Sequence, residues 1–186
     1  GQIDIFGPRE LFGRLPEQAE IVMQGTRAGA VTSAQGPSAV IDTSFADAPP
    51  IDILLIPGGY GARACVEEPT FLDHIRRLSA TTQFTASICT GSAILARAGL
   101  LDGLRATSNK LSFDWVASQG PDVIWERRAR WVEDGKIFTA SGVSAGMDMA
   151  LGLIDHLWGR KVADHAALEA EYLWNEDRNN DPFAPE

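Results

Sequence analysis

A strand-like run meets a helix-like run in residues 83–95, which read QFTASICTGSAIL and carry Cys89 at the corner. Thr, Ile and Phe side chains before Cys89 favour an extended segment, whereas residues 93–98 are rich in helix formers. We therefore expect the thiol at or just before a helix N-terminus, where unpaired amides and the helix dipole favour a thiolate. The alternative is that Cys89 is a small buried hydrophobic residue, as most free cysteines are. We interpret Cys89 as a reactive centre because α/β enzymes place nucleophiles at such corners.

Strand-like and helix-like segments alternate along the chain, which is typical of a parallel sheet covered by helices on both faces. The predicted strands are residues 19–24, 40–43, 51–57, the run before Cys89, and a hairpin of 123–132 and 136–140 that turns at 133–135. The predicted helices are residues 69–78, 93–98, 145–158 and 161–174. The sequence thus predicts a three-layer α/β/α sandwich with a largely parallel sheet. We read residues 1–186 as one domain, with the polar tail 175–186 extended over the surface.

Composition excludes several function classes. A chain of 186 residues with 45% hydrophobic content can build one sizeable core. Its net charge of -9 and the absence of a dense basic cluster argue against a nucleic-acid or anionic-membrane partner. The densest basic group, residues 127–130, is read as a solvated strand face rather than a phosphate-binding patch.

Cysteine usage and hydropathy indicate the compartment. Two cysteines cannot form a disulfide framework, and no Cys/His pair has zinc-finger spacing, so we expect no metal site. Cys65 is read as an inert, partly buried thiol, with a second reactive thiol as the alternative. No apolar run is long enough to span a membrane, and no signal-peptide pattern opens the chain. The sequence therefore predicts a cytoplasmic protein.

The first residues depart from the expected pattern. A domain of this kind normally opens with an apolar strand, whereas residues 1–4 read as the loop after one. We therefore expect that the first strand is missing from the sequence.

Five ordered segments resemble the ThiJ/PfpI superfamily, whose domain is related to class I glutamine amidotransferases. They read QIDIFGPRE (residues 2–10), IPGG (56–59), SICTGS (87–92), AGLLDGLRAT (98–107) and TASGVSAGMD (139–148). The resemblance covers nearly the whole chain and implies a flavodoxin-like fold, a nucleophile elbow at Cys89 and a homodimer. Within the superfamily, the Asp-x-x-Gly-Pro opening and the Cys-Thr-Gly elbow are most similar to isocyanide hydratases and to the amidase-like domains of some transcription regulators.

The glycines after the 51–57 run are candidate binding residues. Gly58 and Gly59 allow close backbone approach, and their amides are placed to act as anion or oxyanion donors at the carboxyl edge of the sheet. The alternative is a tight strand-to-helix turn. Thr90 can supply a backbone amide and a hydroxyl beside the thiolate, although alone it would be an ordinary helix-start residue.

The resemblance also implies an acid beside the cysteine. It places Asp4 there, positioned to exchange protons with substrate or water. The alternative is that Asp4 is a loop residue that makes local backbone hydrogen bonds. Glu10, on a helix expected to begin near Pro8, is the other acid that could face the elbow or lie exposed in the first turn.

Two departures from related patterns narrow the chemistry. Many hydratase-like relatives carry His-Trp after their Ala-Thr-Thr segment, whereas this chain continues as Ser108-Asn109-Lys110; Asn109 can bond a substrate but cannot act as a base. The peptidase-like branch has His directly after its cysteine, where this chain has Thr90. The three histidines fall on predicted helices away from the loop edge, so no Cys-His dyad is expected.

Three functions follow as hypotheses. The leading one is a cofactor-free cysteine hydratase acting on a small electrophile, either an isocyanide through a Cys89 thioimidate or a glyoxal. The second is a non-catalytic ligand-sensing domain, although the chain lacks a basic helix-turn-helix segment. The third is a redox-sensing or protective protein in which Cys89 is oxidised.

Overall fold

The computed structural model describes residues 1–185 and contains seven helices and ten strands over that range. The helices are α1 (Gln2–Gly13), α2 (Ala62–Cys65), α3 (Pro69–Thr81), α4 (Gly91–Arg97), α5 (Phe113–Ala117), α6 (Ala145–Trp158) and α7 (Arg160–Glu169). The strands are β1 (Gln24–Gly25), β2 (Gly29–Thr32), β3 (Ser38–Ile41), β4 (Thr43–Ser44), β5 (Ile53–Ile56), β6 (Phe84–Ile88), β7 (Arg105–Ala106), β8 (Ile124–Trp125), β9 (Trp131–Asp134) and β10 (Ile137–Ala140).

The central sheet has the strand order β5-β6-β10-β9. Strands β5 and β10 both pair with β6 in parallel, and β9 joins as an antiparallel edge strand. Three two-stranded pairs lie outside this sheet: β1 with β4, β2 with β3, and β7 with β8. Since the carboxyl ends of parallel strands meet at one edge, the segments that follow β5, β6 and β10 converge.

Side chains alternate across the sheet and so build two separate cores. Ala86 and Phe138 point to the face covered by α1, α6 and α7. Leu54 and Ile137 point to the opposite face, where α4 packs on the sheet and α2, α3 and α5 pack on α4. Two apolar clusters on opposite faces of one sheet define a three-layer α/β/α sandwich of flavodoxin-like type, as the sequence predicted.

The N-terminal prediction was wrong in its local structure. Residues 2–4 form the first turn of α1, not a loop, and α1 begins at Gln2 with Pro8 inside it. Asp4 is therefore a helical residue with a fixed direction. The missing first strand stays a prediction.

Other boundaries also differ from those predicted. The predicted strand 40–43 divides between β3 and β4, and Asp42 belongs to neither. Of residues 19–24 only Gln24 enters a strand, and the predicted strand 123–132 divides into β8 and β9 because β8 pairs with β7 rather than with β10. The last helix ends at Glu169 rather than at Trp174. Glu171 adopts φ +48°, and the amide of Tyr172 donates to the carbonyl of Ala167 at 2.9 Å, which closes the helix in a Schellman turn.

The C-terminal segment that follows runs against the start of β9. The amide of Arg130 donates to the carbonyl of Arg178 at 2.8 Å, and the amide of Asp181 donates to the carbonyl of Arg128 at 2.7 Å. Glu186, the last residue of the predicted tail, lies outside the described residues. Between residues 1 and 185, none of the helices has both the length and the apolar character needed to cross a bilayer.

Candidate active site

Cys89 occupies a strained corner between β6 and α4. Its φ of +58° lies in the left-handed region, which is unfavourable for a residue with a side chain. Four hydrogen bonds hold it there: its amide donates to the carbonyls of Ala140 and Ser141 at 3.1 and 3.0 Å, and its carbonyl accepts from the hydroxyls of Ser92 and Ser108 at 3.0 and 2.9 Å. The thiol is only 8% exposed. The sharp strand-to-helix turn that the sequence predicted at Cys89 is thus present in the backbone.

The thiol experiences opposing electrostatic influences. Burial, followed by the negative charge of Asp4, raises the pKa of Cys89, while backbone hydrogen bonds from Thr90 and Val143 lower it. The net direction is upward. The expectation that the helix N-terminus alone would favour a thiolate therefore needs correction, because desolvation and the neighbouring carboxylate outweigh the two amides.

Asp4 is the acid that the fold brings to the elbow. Its side chain on the first turn of α1 is fully buried, and Oδ2 accepts a hydrogen bond from the amide of Gly58 at 3.0 Å. Within residues 1–185, Oδ1 has no hydrogen-bond partner. Burial raises the pKa of this carboxyl above its ordinary value. Asp4 and Cys89 thus form a buried acid–thiol pair.

Gly58 and Gly59 position this pair but do not offer free amides to an anion. The Gly58 amide is bound to Asp4, and the Gly59 amide donates to the Thr90 hydroxyl at 2.8 Å. A side chain at Gly58 would place its Cβ 2.5 Å from the Thr90 nitrogen. The predicted oxyanion role of the two glycines is therefore replaced by a positioning role, and glycine at 58 allows the end of β5 to approach the elbow closely.

Glu10 does not reach the elbow. It lies on the exposed side of α1 and pairs with Arg14 one helical turn later, with 2.9 Å between Arg14 Nε and the carboxylate. Because Glu10 follows Asp4 by six residues, the two acids project from the helix in directions about 120° apart. The expectation that Glu10 could face the elbow is corrected accordingly.

Asn109 lies beside the turn that follows β10. Its Oδ1 accepts the amide of Ser112 at 3.0 Å, just before α5 begins. Its Nδ2 approaches Gly142 so closely that a Cβ there would lie 2.5 Å away. Asn109 therefore braces the residue that precedes Val143, and its amide oxygen is already engaged.

The histidines and Cys65 have contacts of their own. His156 pairs with Glu133 at 3.0 Å, His165 with Glu169 at 3.4 Å, and His74 stacks on Phe45. Cys65, at the end of α2, is half-buried, and burial together with the charge of Glu68 raises its pKa. No group of three or more metal-ligating side chains is assembled among residues 1–185.

Three residues that contact Cys89 were not singled out from the sequence. Val143 supplies a backbone amide to the thiol and has φ +43°, while Ser108 and Ser141 bond the Cys89 backbone. The sequence carried a signal for Ser141 and Val143, because residues 141–144 follow a strand that runs parallel to the cysteine strand. Segments that follow parallel strands lie at the same edge of the sheet. Ser108 had no such signal, since the chain reaches it through the separate β7–β8 pair.

The sequence relates this site to known proteins. Residues 1–156 match the sequence profile of the DJ-1/PfpI family. The chain belongs to the DJ-1/PfpI family. The resemblance to the ThiJ/PfpI superfamily, drawn from five motifs, is thereby confirmed.

Two relatives and one solved structure define its place among DJ-1/PfpI proteins. The chain is 36% identical over 172 residues to isonitrile hydratase from Pseudomonas putida, covering 92% of this chain and 73% of that protein. It is 33% identical over 140 residues to the HTH-type transcriptional regulator GbdR from Pseudomonas aeruginosa, covering 74% of this chain and 36% of the regulator. The crystal structure of a ThiJ/PfpI family protein from Pseudomonas syringae matches with a TM-score of 0.84 at 32% identity, covering 98% of this chain and 76% of that one.

Proposed function

We propose that this chain is a cofactor-free cysteine hydratase that converts a small isocyanide into the N-substituted formamide. The observation that carries the proposal is the burial of Asp4 beside Cys89, each with a raised pKa. The relative from Pseudomonas putida named isonitrile hydratase supports the choice of substrate.

A shared proton connects the two groups. Since the charge of Asp4 raises the pKa of Cys89, ionising both at once is unfavourable, and the pair retains one proton over a range of pH. When that proton is on Asp4, the Cys89 thiolate accepts hydrogen bonds from the backbone amides of Thr90 and Val143. This form of the pair contains a nucleophile and a proton donor together, which isocyanide hydration requires.

The reaction can be written with these two residues and water. The thiolate of Cys89 forms a bond to the terminal isocyanide carbon while Asp4 gives its proton to that carbon, which yields a thioimidate, Cys–S–CH=N–R. Asp4, now a carboxylate, takes a proton from water as the oxygen adds to the same carbon, and it passes that proton to the nitrogen. The C–S bond then breaks, the hydroxyl proton returns to Asp4, and H–CO–NH–R is released with the thiolate and the protonated acid restored.

The surroundings of the thiol favour a small, uncharged substrate. Cys89 is 8% exposed and packs in the apolar cluster that contains Ile88 and Ala145. A charged electrophile would lose its hydration there without a compensating partner, whereas an alkyl isocyanide would not.

We also propose a cytoplasmic homodimer. The two cysteines are unpaired, which suits a reducing compartment. Helix α1 exposes Ile3 and Phe6, at 52% and 37%, and these apolar side chains suit burial against a second copy. Light scattering coupled to size exclusion tests the dimer, and Ile3→Lys should shift it toward monomer.

Formamide production from cyclohexyl isocyanide, followed by NMR, tests the enzymatic proposal. We expect turnover by the parent protein, none by Cys89→Ala, and retained turnover by the matched variant Cys65→Ala. A folded parent protein that alkylates at Cys89 but releases no formamide would falsify the hydratase assignment for this substrate.

Oxidation of Cys89 is the second candidate function. The free oxygen of Asp4 and the raised pKa of its carboxyl suit a hydrogen bond from a protonated acid to an oxidised sulfur. With a peroxide as oxidant, the thiolate displaces hydroxide from the O–O bond, sulfur is oxidised to sulfenic acid and peroxide is reduced. Intact mass after peroxide treatment, compared between the parent and Asp4→Asn, tests whether the acid stabilises such a product.

A further inference from the structure

Backbone hydrogen bonds connect the candidate nucleophile to the C-terminal segment. The Cys89 amide donates to the Ser141 carbonyl at 3.0 Å, the Ser141 amide to the Arg130 carbonyl at 2.8 Å, and the Arg130 amide to the Arg178 carbonyl at 2.8 Å. These bonds continue the register of β6, β10 and β9 by one residue beyond the sheet. A row of hydrogen-bonded residues thus runs from the elbow to the C-terminal segment: Cys89, Ser141, Arg130 and Arg178.

The Arg130 side chain strengthens the same row. It is buried, and its Nε donates to Asp148 Oδ2 on α6 at 2.6 Å. Its Nη1 lies 3.7 Å from the buried carboxylate of Asp181, and its Nη2 lies 3.5 Å from the hydroxyl of Ser144. One guanidinium therefore contacts the first residues of α6, the turn after β10 and the C-terminal segment.

The C-terminal segment is fixed at its other end through Asp148. Asp148 Oδ1 accepts both the Tyr172 hydroxyl and the Asn175 amide at 2.9 Å. Together with Asp181, these bonds fasten residues 172–181 around Arg130 at three places.

We propose that residues 172–181 act through Arg130 to position the turn 141–144, and with it the Val143 amide that hydrogen-bonds Cys89. Arg130, Tyr172 and Asp181 are thus positioning residues. This inference rests on the proposed role of Cys89 as a reactive thiol.

Charge balance explains how a change in the C-terminal segment reaches the thiol. Two cations, Arg130 and Lys110, are buried or half-buried against two buried carboxylates, Asp148 and Asp181. Removing one carboxylate leaves an uncompensated buried cation, which lowers its energy by moving toward solvent or toward the remaining acid. The turn would move with Arg130, because Ser141 and Ser144 both contact that residue. The Val143 amide would then lose its alignment with the sulfur.

Cysteine alkylation measures this positioning directly. In a Cys65→Ala background, the rate of iodoacetamide addition to Cys89 is measured against pH for the parent, Asp181→Asn and Tyr172→Phe. The matched control is Asp73→Asn, which removes an exposed carboxylate paired with Arg76 on α3. Asp4, a charged group that raises the pKa of the thiol, is unchanged in all of them.

We expect Asp181→Asn to raise the pKa of Cys89 by about half a unit or more, which lowers its alkylation rate below the pKa by about threefold or more. Tyr172→Phe should shift the pH profile of alkylation in the same direction by a smaller amount. If Asp181→Asn does not fold, the profile of Tyr172→Phe tests the inference. Profiles of both variants that coincide with that of Asp73→Asn overturn the inference. Because alkylation needs no isocyanide, a shifted profile in a protein without hydratase turnover rejects the proposed reaction and keeps the positioning role.

Discussion

The amide of Gly58 donates to one carboxyl oxygen of Asp4 at 3.0 Å and leaves the other without a partner inside residues 1–185. The hydrogen bond from Gly58 at the end of β5 therefore orients the Asp4 carboxyl through one of its oxygens. The second oxygen remains available to a reactant. A buried acid with one committed and one free oxygen can transfer a proton without first breaking a structural hydrogen bond.

Asp4→Asn should strongly slow isocyanide hydration while preserving the fold. The amide oxygen of asparagine can still accept the Gly58 amide, but the side chain cannot deliver a proton to the substrate carbon. General acid catalysis of this kind contributes about 10²- to 10⁴-fold, so we expect kcat to fall by about that factor. Formamide release measured by NMR, with circular dichroism on the same samples, checks the prediction.

Glu10→Gln should retain turnover. Glu10 is exposed, and within residues 1–185 it pairs only with Arg14 on the same helix, an arrangement worth about 0.5 kcal/mol or less. Steady-state kinetics beside those of Asp4→Asn separate the two acids of α1. Equal losses in both variants would mean that helix α1, rather than the buried carboxyl, controls activity.

Asp4 should also make stability depend on pH. Burial raises its pKa in the folded state above the ordinary 3.8, so between these two values the folded protein binds more protons than the unfolded chain. Its contribution to stability is thus fully present at low pH and is lost as pH rises through this window. Urea unfolding from acid to neutral pH should show Asp4→Asn gaining stability relative to the parent. A constant difference between the two proteins across the series contradicts this assignment.

The sequence predicted the layers and the elbow because both depend on local patterns. The apolar run at 51–57, the strand before Cys89 and helix α6 each carry a strong periodic or compositional signal, and all three formed as expected. The Asp134-Gly135 turn likewise predicted the β9–β10 hairpin. These elements alone define a parallel sheet with a cysteine at its carboxyl edge.

Long-range contacts account for what the sequence did not reveal. The Gly58 amide is bound to the Asp4 carboxylate because α1 approaches the end of β5. Gly58 and Asp4 are 54 residues apart in the sequence, so local patterns do not reveal this contact. Val143, whose amide bonds the thiol, has positive φ, a conformation that a β-branched residue rarely adopts. The direction of Glu10 was misjudged because α1 begins six residues before Pro8, the position from which a helix start was inferred.

Gly91→Ala should destabilise the elbow, whereas Gly61→Ala should be tolerated. A Cβ at Gly91 would lie 2.3 Å from the Ile56 carbonyl oxygen, a backbone atom that cannot swing aside. Gly61 has open space around it and helical dihedrals, φ -62° and ψ -21°. Urea unfolding should show a loss of about 1–3 kcal/mol for Gly91→Ala and little change or a small gain for Gly61→Ala. Equal stability of the two variants would mean that the β5 end and α4 separate easily.

Lys110 should titrate near pH 8, and its pKa should depend on the charge of Asp181. Burial lowers its pKa to about 8, the charge of Asp181 opposes this, and Arg130 adds to it. The folded state therefore binds fewer protons than the unfolded chain between about 8 and the ordinary 10.5, so the stability contribution rises with pH across that window.

NMR of ¹³C-labelled lysine measures this titration, with the Lys110 signal assigned as the one that Lys110→Arg removes. We expect a midpoint near pH 8 in the parent and a lower one in Asp181→Asn, because the opposing carboxylate is gone. An unchanged midpoint would show that Asp181 does not sit against the buried cations in solution. In that case Asp181 could not position Arg130 through charge, and the C-terminal segment would be connected to Arg130 by its backbone bonds to residues 128–131 and by the bonds of Tyr172 and Asn175 to Asp148.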